Sequence, residues 1–388
     1  MSYCKICGEF NCKKHSFLLG KAVSIKEFAG SSPPEVFVGR WNYPNVYTGI
    51  LSPTEYGNTE IMSSPELWHE KNLPIPSILK LRNQLIYSRT QSNIKKPLNP
   101  TKFLSVLQEI AMTDSSIGAE FKLKKPITKN TEHDSRVPLI SKAAQVESAR
   151  LTENTKIKKK VDYLVNDTDV KSTIALQELE SSGITNSSLV KLLSAGLLGL
   201  KKNRKLVPTR WSITAVDDSL SKNKLQKIRF YNQIPDYRVF TAEYLGNHYE
   251  FLLLPSTWEF EVLEMSMQNF QVWQDYESFF PRKKYADSVT GAYYANRLAL
   301  TEYLEKIKKQ CSCIVFREIR PEYYAPLGVG ILRETSRAAF QNKHSSFFSL
   351  KEALANIQSR LRLPIENFTQ KSIILNSTRQ QTRLSNFF

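Results

Sequence analysis

With 388 residues the chain can form two domains with cores of their own, and its 41% hydrophobic and 23% charged residues are those of an ordinary globular protein. No apolar run reaches the roughly 18 residues of a membrane-spanning helix and no leader-like stretch opens the chain, so a membrane is excluded as a partner and a cytoplasmic protein is expected. Against 37 acidic residues stand 54 lysines and arginines, a net charge of +17, which makes nucleic acid the expected partner. The five cysteines, Cys4, Cys7, Cys12, Cys311 and Cys313, are too few and too unevenly placed for a disulfide scaffold.

The chain begins with Cys4-x2-Cys7-x4-Cys12-x2-His15. Two close pairs of sulfur and nitrogen donors suit a tetrahedral zinc ion, and a site with every position filled by protein is structural rather than catalytic. Gly8 suits the tight turn of such a loop, and the metal would fold a segment that has almost no core.

Pro33, Pro34, Gly39, Pro44, Gly49 and Pro53 then cut the chain into short apolar pieces, a pattern of strands and loops. Within it Arg40, Trp41, Tyr43, Asn45 and Tyr47 place a guanidinium among aromatic rings. Such a surface can stack on bases and grip phosphate, or it can be the inside of a packed hairpin. From Pro65 the spacing turns helical, with Ile78, Leu79, Leu81, Leu85 and Ile86, and again with Phe103, Leu104, Leu107, Ile110 and Ala111. The lysine runs at Lys122 to Lys129 and Lys156 to Lys160 read as solvated faces able to touch phosphate without sequence preference.

Two short helices follow, ending near Gly183 and Gly196. After them come the basic Lys201, Lys202, Arg204 and Lys205, and then Val207 to Thr214, read as extended. That order fits a winged helix-turn-helix or a plain helical hairpin. Asp236 to Leu245 and His248 to Leu254 flank Gly246-Asn247, a two-residue hairpin signal, and Trp258 to Leu263 reads as a third strand. Composition shifts around Phe279 to Lys284, where a domain boundary is placed. A long helix from Tyr293 to Gln310 carries Lys306, Lys308 and Lys309 at its end, where they offset its dipole, and Cys311 to Phe316 is a buried strand running into Arg317 and Glu318.

The chain closes on Gln381-x2-Leu384-x2-Phe387-Phe388 after the polar run Asn376 to Gln380, which reads as a tether. Leu384, Phe387 and Phe388 would share one side of a single helical turn, an apolar plug with a glutamine handle. The stretch resembles the peptide by which replication and repair proteins dock on the DNA sliding clamp, PCNA.

The zinc-type cluster, Gly39 to Val46, Val207 to Asp218, Gly291 to Leu298, Arg317-Glu318, Pro326 to Val329 and the terminal motif look like the archaeal Nre family of DNA repair proteins, in its NreA branch. The resemblance covers nearly the whole chain. It implies a cytoplasmic DNA-damage-response protein that binds the clamp and carries a zinc-binding N-terminus; with His15 in the last ligand position, an all-cysteine site is not assumed. It implies no particular reaction.

Two readings of the activity stand side by side. Arg210, Asp217 and Asp218, joined by Arg317 and Glu318, are the catalytic candidates, because paired acids can hold magnesium and arginine can take phosphoryl charge during DNA cleavage. No phosphate-cradling GxxxxGK[ST] loop and no Gly-x-Ser-x-Gly elbow is present. A DNA-binding adaptor delivered by the clamp needs none of that chemistry. The expected architecture is α+β, with a zinc module over 1–20, a mixed main domain with antiparallel strands over 21–280, a helix-rich domain over 281–368 and a flexible tail over 369–388.

Overall fold

The computed structural model describes residues 25–127, 137, 138, 140 and 142–380. The expected zinc ligands Cys4, Cys7, Cys12 and His15 and the terminal Gln381, Leu384, Phe387 and Phe388 lie outside the described residues. Contacts divide the chain into two compact units, Met1–Leu220 with Ala325–Gly330, and Ser221–Tyr324 with Ile331–Phe388.

In the first unit the elements are β1 (Glu27–Ser32), β2 (Val36–Val38), β3 (Asn45–Ser52), α1 (Pro65–Glu70), α2 (Ile75–Gln84), β4 (Ile86–Asn93), α3 (Lys102–Met112), β5 (Ile117–Leu123), β6 (Ala143–Leu151), α4 (Lys159–Asn166), α5 (Ser172–Ser181), α6 (Asn186–Ser194) and the start of α7 (Thr209–Ile228). The strands form one sheet in the order β1-β5-β6-β4-β3-β2. Its pairs are antiparallel except β4 with β6. The helices follow the spacing in the sequence. The Thr101 hydroxyl accepts the N–H of Leu104 at 3.3 Å to start α3, whose Phe103, Leu104, Leu107, Ile110 and Ala111 are all buried.

One element departs from expectation. Val207 to Thr214 is not an extended wing; helix α7 begins at Thr209. The Pro208 carbonyl accepts the N–H groups of Trp211 at 2.8 Å and Ser212 at 3.0 Å, and Ile213, Val216 and Leu220, three and four apart, are buried. Burial of that helical stripe overrides the local strand preference of Val207, Ile213 and Thr214.

In the second unit the rest of α7 is followed by β7 (Tyr237–Tyr244), β8 (Asn247–Leu254), β9 (Glu259–Ser266), β10 (Val272–Glu277), α8 (Gly291–Ile307), β11 (Ser312–Ile319), α9 (Val329–Gln341), β12 (Ser345–Phe347), α10 (Leu350–Gln358), α11 (Glu366–Thr369) and α12 (Ile373–Gln380). The division of contacts falls inside α7 and just inside α9. The sheet order is β10-β9-β11-β8-β7-β12, antiparallel except β9 with β11. Strand β11 thus lies between β9 and β8, so this sheet takes strands from both sides of residue 280.

The central strands are covered on both faces, with alternate residues entering different cores. Tyr249, Phe251, Leu253, Cys313 and Val315 pack with Leu225, Ile228 and Leu300. Leu252, Leu254, Ile314 and Phe316 pack with Ile357, Phe368 and Leu375. Both cysteines that frame the strand start sit in the first of these cores.

The hairpin turn is shifted by one residue from its sequence signal. Tyr244 pairs with Asn247, so Leu245 and Gly246, at φ 53° and 78°, are the turn pair and Asn247 is the first residue of β8. Two consecutive residues in the left-handed region make the turn that matches strand twist. A Cβ on Gly246 would meet the Tyr323 backbone nitrogen at 2.5 Å, so glycine is required for space as well as for conformation.

The expected flexible tail from 369 is also corrected. Asn376 to Gln380, read as a tether, belongs to helix α12, which buries Ile374 and Leu375. The Glu261 carboxylate accepts the N–H groups of Ile373 at 2.8 Å and Ile374 at 3.3 Å and the Ser372 hydroxyl at 2.6 Å. A buried acid on the helix's positive end anchors it to β9.

Candidate nucleic-acid interface

The first unit carries an exposed aromatic and basic surface built from three loops. Between β2 and β3, residues Arg40 to Pro44 turn back through Asn42 at φ 62°, and the Asn42 carbonyl accepts the N–H of Asn45 at 2.7 Å. This turn holds Trp41 and Tyr43 outward, 70% and 45% exposed, which rules out the packed-hairpin reading for these two rings. The Arg40 guanidinium lies 4.3 Å from the Trp41 ring centroid. Trp211, 44% exposed on the first turn of α7, approaches Tyr43 with a centroid separation of 5.6 Å. The Thr209 hydroxyl accepts the Val38 N–H at 2.9 Å and so ties that turn of helix to the end of β2.

A backbone relay brings the other two loops alongside. The Ile94 N–H donates to the Pro44 carbonyl at 3.0 Å, and the Ile94 carbonyl accepts the N–H of Leu206 at 2.8 Å. Exposed Lys95 and Lys96 follow Ile94 directly, and exposed Lys201, Lys202 and Lys205 lie on the stretch leading to Leu206. Exposed rings flanked by lysines are a type of surface able to stack bases and neutralise the phosphates between them.

Of the basic residues expected to touch DNA, Arg204 has a different engagement. Its guanidinium donates to the carbonyls of Gly199 at 2.8 Å, Val165 at 2.7 Å and Asp167 at 2.7 Å, where it satisfies the end of α4. Burial lowers its pKa, with Asp167 pulling the other way. Sequence reading missed Lys95, Lys96 and Trp211 as surface partners. The adjacent lysine pair was visible; its place beside Pro44 depends on the Ile94 relay.

The catalytic candidates fall in different units. In the first, Arg210 is half-buried on α7, Asp217 is fully buried with Asn186 donating to its Oδ1 at 3.4 Å, and Asp218 is half-buried one position on. On a helix, neighbouring side chains diverge by about 100°. In the second unit Arg317 donates to Glu264 at 2.5 Å and to Asn247 at 2.5 Å. Burial would lower the Arg317 pKa, but Glu264 together with Tyr249 and Tyr323 outweighs it and the pKa is raised. Glu318 accepts the N–H groups of Arg362 at 2.8 Å and Leu363 at 2.7 Å and the Arg320 guanidinium at 2.9 Å. Arg317 and Glu318 are therefore held within the packing of their own unit. Among the described residues, no group of three or more His, Cys, Asp and Glu could hold a metal ion, and no helix is long and apolar enough to cross a membrane.

Family models described as archaeal Nre match both parts of the chain, the N-terminal model over residues 1–274 and the C-terminal model over residues 277–387. The chain is 35% identical over 385 residues to the DNA repair protein NreB of Archaeoglobus fulgidus, covering 97% of this chain and 96% of that one. It is 34% identical over 395 residues to the DNA repair protein NreA of the same organism, covering 99% and 96%. To the NreA of Haloferax volcanii it is 30% identical over 360 residues, covering 88% and 85%. No solved structure matches.

Proposed function

The chain belongs to the archaeal Nre family, and we propose that it acts in DNA repair by binding single-stranded DNA on its first unit while its terminal motif engages the sliding clamp. The observation that carries the DNA reading is the outward-facing set of Trp41, Tyr43 and Trp211 with Arg40 among them. The net charge of +17 and the lysines of the two neighbouring loops favour the same partner. The relatives named as DNA repair proteins support the process. The clamp reading is supported by the pattern of Gln381, Leu384, Phe387 and Phe388.

Titration of a labelled single-stranded oligonucleotide tests the DNA reading. Each of Trp41→Ala and Trp211→Ala is expected to cost about 1–3 kcal/mol, about 5- to 150-fold in affinity, the worth of one stacked base. Lys95→Ala with Lys96→Ala should instead flatten the salt dependence, by a slope of about 1.4 for two phosphate contacts on a single strand. Undiminished affinity in both tryptophan variants, with unchanged circular dichroism, would remove this surface from DNA binding.

A structural zinc on Cys4, Cys7, Cys12 and His15 completes the proposal. Metal analysis of purified protein should find about one zinc per chain, lost in Cys7→Ser, as a four-ligand site requires. Protein that contains no zinc after purification without chelators refutes it.

A further inference from the structure

The first unit contains a cavity of about 360 Å³ lined in part by Glu60, Glu66, Asp114, Lys158, Ser187 and Lys191. Its volume is that of a small-molecule pocket rather than a packing defect. Lys191 lies in the second turn of α6 and is 8% exposed. Among the described residues no hydrogen bond or ion pair of its amine is seen, while Glu35, Glu66 and Glu60 attract it through space.

That is unlike the buried Arg82 of the same unit, which donates to the Met62 carbonyl at 3.1 Å and pairs with Glu35 at 3.5 Å. Glu66 is held at the start of the helix that carries Lys191. Its carboxylate accepts the Ser187 N–H at 3.3 Å and hydroxyl at 2.7 Å and the Ser64 hydroxyl at 3.2 Å, and so satisfies the start of α6.

An amine buried without a hydrogen bond costs more than an apolar side chain in its place, and the attraction of nearby Glu35, Glu66 and Glu60 offsets only part of that cost. Its surroundings decide what it could do. Three carboxylates, Glu60, Glu66 and Asp114, line the same cavity and oppose an anionic group inside it, so any phosphates of a guest stay outside. They would favour a positive charge that develops on the guest. Burial lowers the Lys191 pKa against the pull of Glu35, Glu66 and Glu60. Burial also raises the Glu35 pKa, against Arg82 and Lys191. Each shift is toward the uncharged form of its group. The hydroxyls of Ser63, Thr185 and Ser188 on the cavity wall suit a polyol.

We propose that Lys191 is a nucleophilic amine that forms an imine with a sugar-like aldehyde admitted to this cavity. The neutral amine adds through its lone pair to the carbonyl carbon, and one of its protons passes to the new alkoxide oxygen. A proton taken up from solvent then lets that oxygen leave as water. What remains is a protonated imine facing the carboxylates that line the cavity, the kind of covalent intermediate a desolvated lysine supports. The aldehyde could be the open-chain sugar of an abasic site in DNA or a free sugar. The first source rests on the DNA reading above, and the second does not.

Full-length protein is incubated with sodium cyanoborohydride and either a single-stranded oligonucleotide carrying one abasic site or free 2-deoxyribose, and the reduced adduct is mapped by peptide mass spectrometry. The expected result is an adduct on Lys191 that is lost in Lys191→Arg and retained in Lys158→Arg. Adduct with both aldehydes identifies the DNA source, and adduct with deoxyribose alone identifies a free sugar; each upholds the amine. Trp41→Ala/Trp211→Ala should keep the deoxyribose adduct, which separates failure of the DNA reading from failure of this one. Absence of any adduct, or label on surface lysines with Lys191 unmodified in the wild-type protein, overturns the proposal. Mapping on the wild type holds whether or not the variants fold.

Discussion

Glu277→Ala lowers the stability of the second unit by about 3–5 kcal/mol, the cost of leaving a buried charge without its partner. Glu277 and Arg297 both have 0% side-chain exposure and meet at 2.8 Å. The same carboxylate accepts the Trp258 indole N–H at 3.2 Å and the Arg282 backbone N–H at 3.2 Å. Arg297 also donates to the Ser221 hydroxyl at 3.1 Å and stands 5.6 Å from the Tyr293 ring and 5.5 Å from that of Tyr294. Alanine would take from the buried guanidinium its Glu277 acceptor and from the Trp258 indole N–H the same carboxylate.

Urea denaturation followed by tryptophan fluorescence measures the loss, with Glu147→Ala as a surface control. Glu147 pairs with Lys122 at 3.4 Å with both side chains 50% exposed, and its removal should change stability by no more than about 1 kcal/mol. Glu277→Ala/Arg297→Met should recover much of the loss, because the stranded charge is gone. A single variant no less stable than the surface control contradicts the assignment of this pair as a buried keystone.

Phe387→Ala with Phe388→Ala is expected to weaken clamp binding about a thousandfold, taking each terminal ring as a hot spot worth about 2 kcal/mol. The chain is helical up to Gln380, so the motif begins one residue beyond α12, whose start is fastened by Glu261. Calorimetry against the purified clamp reads the affinity, and an unaltered thermal transition shows that the fold has survived. Full affinity in the double variant would take the clamp out of the proposed function and leave the DNA surface on its own.

The elements legible in the sequence are those that depend on residues two, three or four apart. The stripe of Phe103, Leu104, Leu107, Ile110 and Ala111 with Thr101 before it specifies α3. The helices up to Gly183 and Gly196, the helix after Thr290 and the strand after Cys311 were equally local. The hairpin was legible too, though its turn was one residue off, since Gly246 signals a turn without saying which neighbour shares it. Family membership rested on short motifs of the same local kind.

Errors came where a distant partner decides. Val207 to Thr214 has strand-like residues, but α7 forms because Ile213, Val216 and Leu220 find a core to enter. Asn376 to Gln380 looks like a polar tether, but Glu261, more than a hundred residues away, caps the helix that contains it.

The candidate sites divide along the same line. Composition and charge by themselves determined that this is a basic protein, and the end of the chain by itself carries the residue pattern on which the clamp proposal rests. Only the tertiary structure brought Trp211 to Tyr43, set Lys95 and Lys96 beside the Lys201–Lys205 loop, and buried Lys191 on the wall of a cavity. The physical reason is that net charge and periodicity are sums over near neighbours, whereas a site is a convergence of side chains whose separation along the chain carries no information about their separation in space.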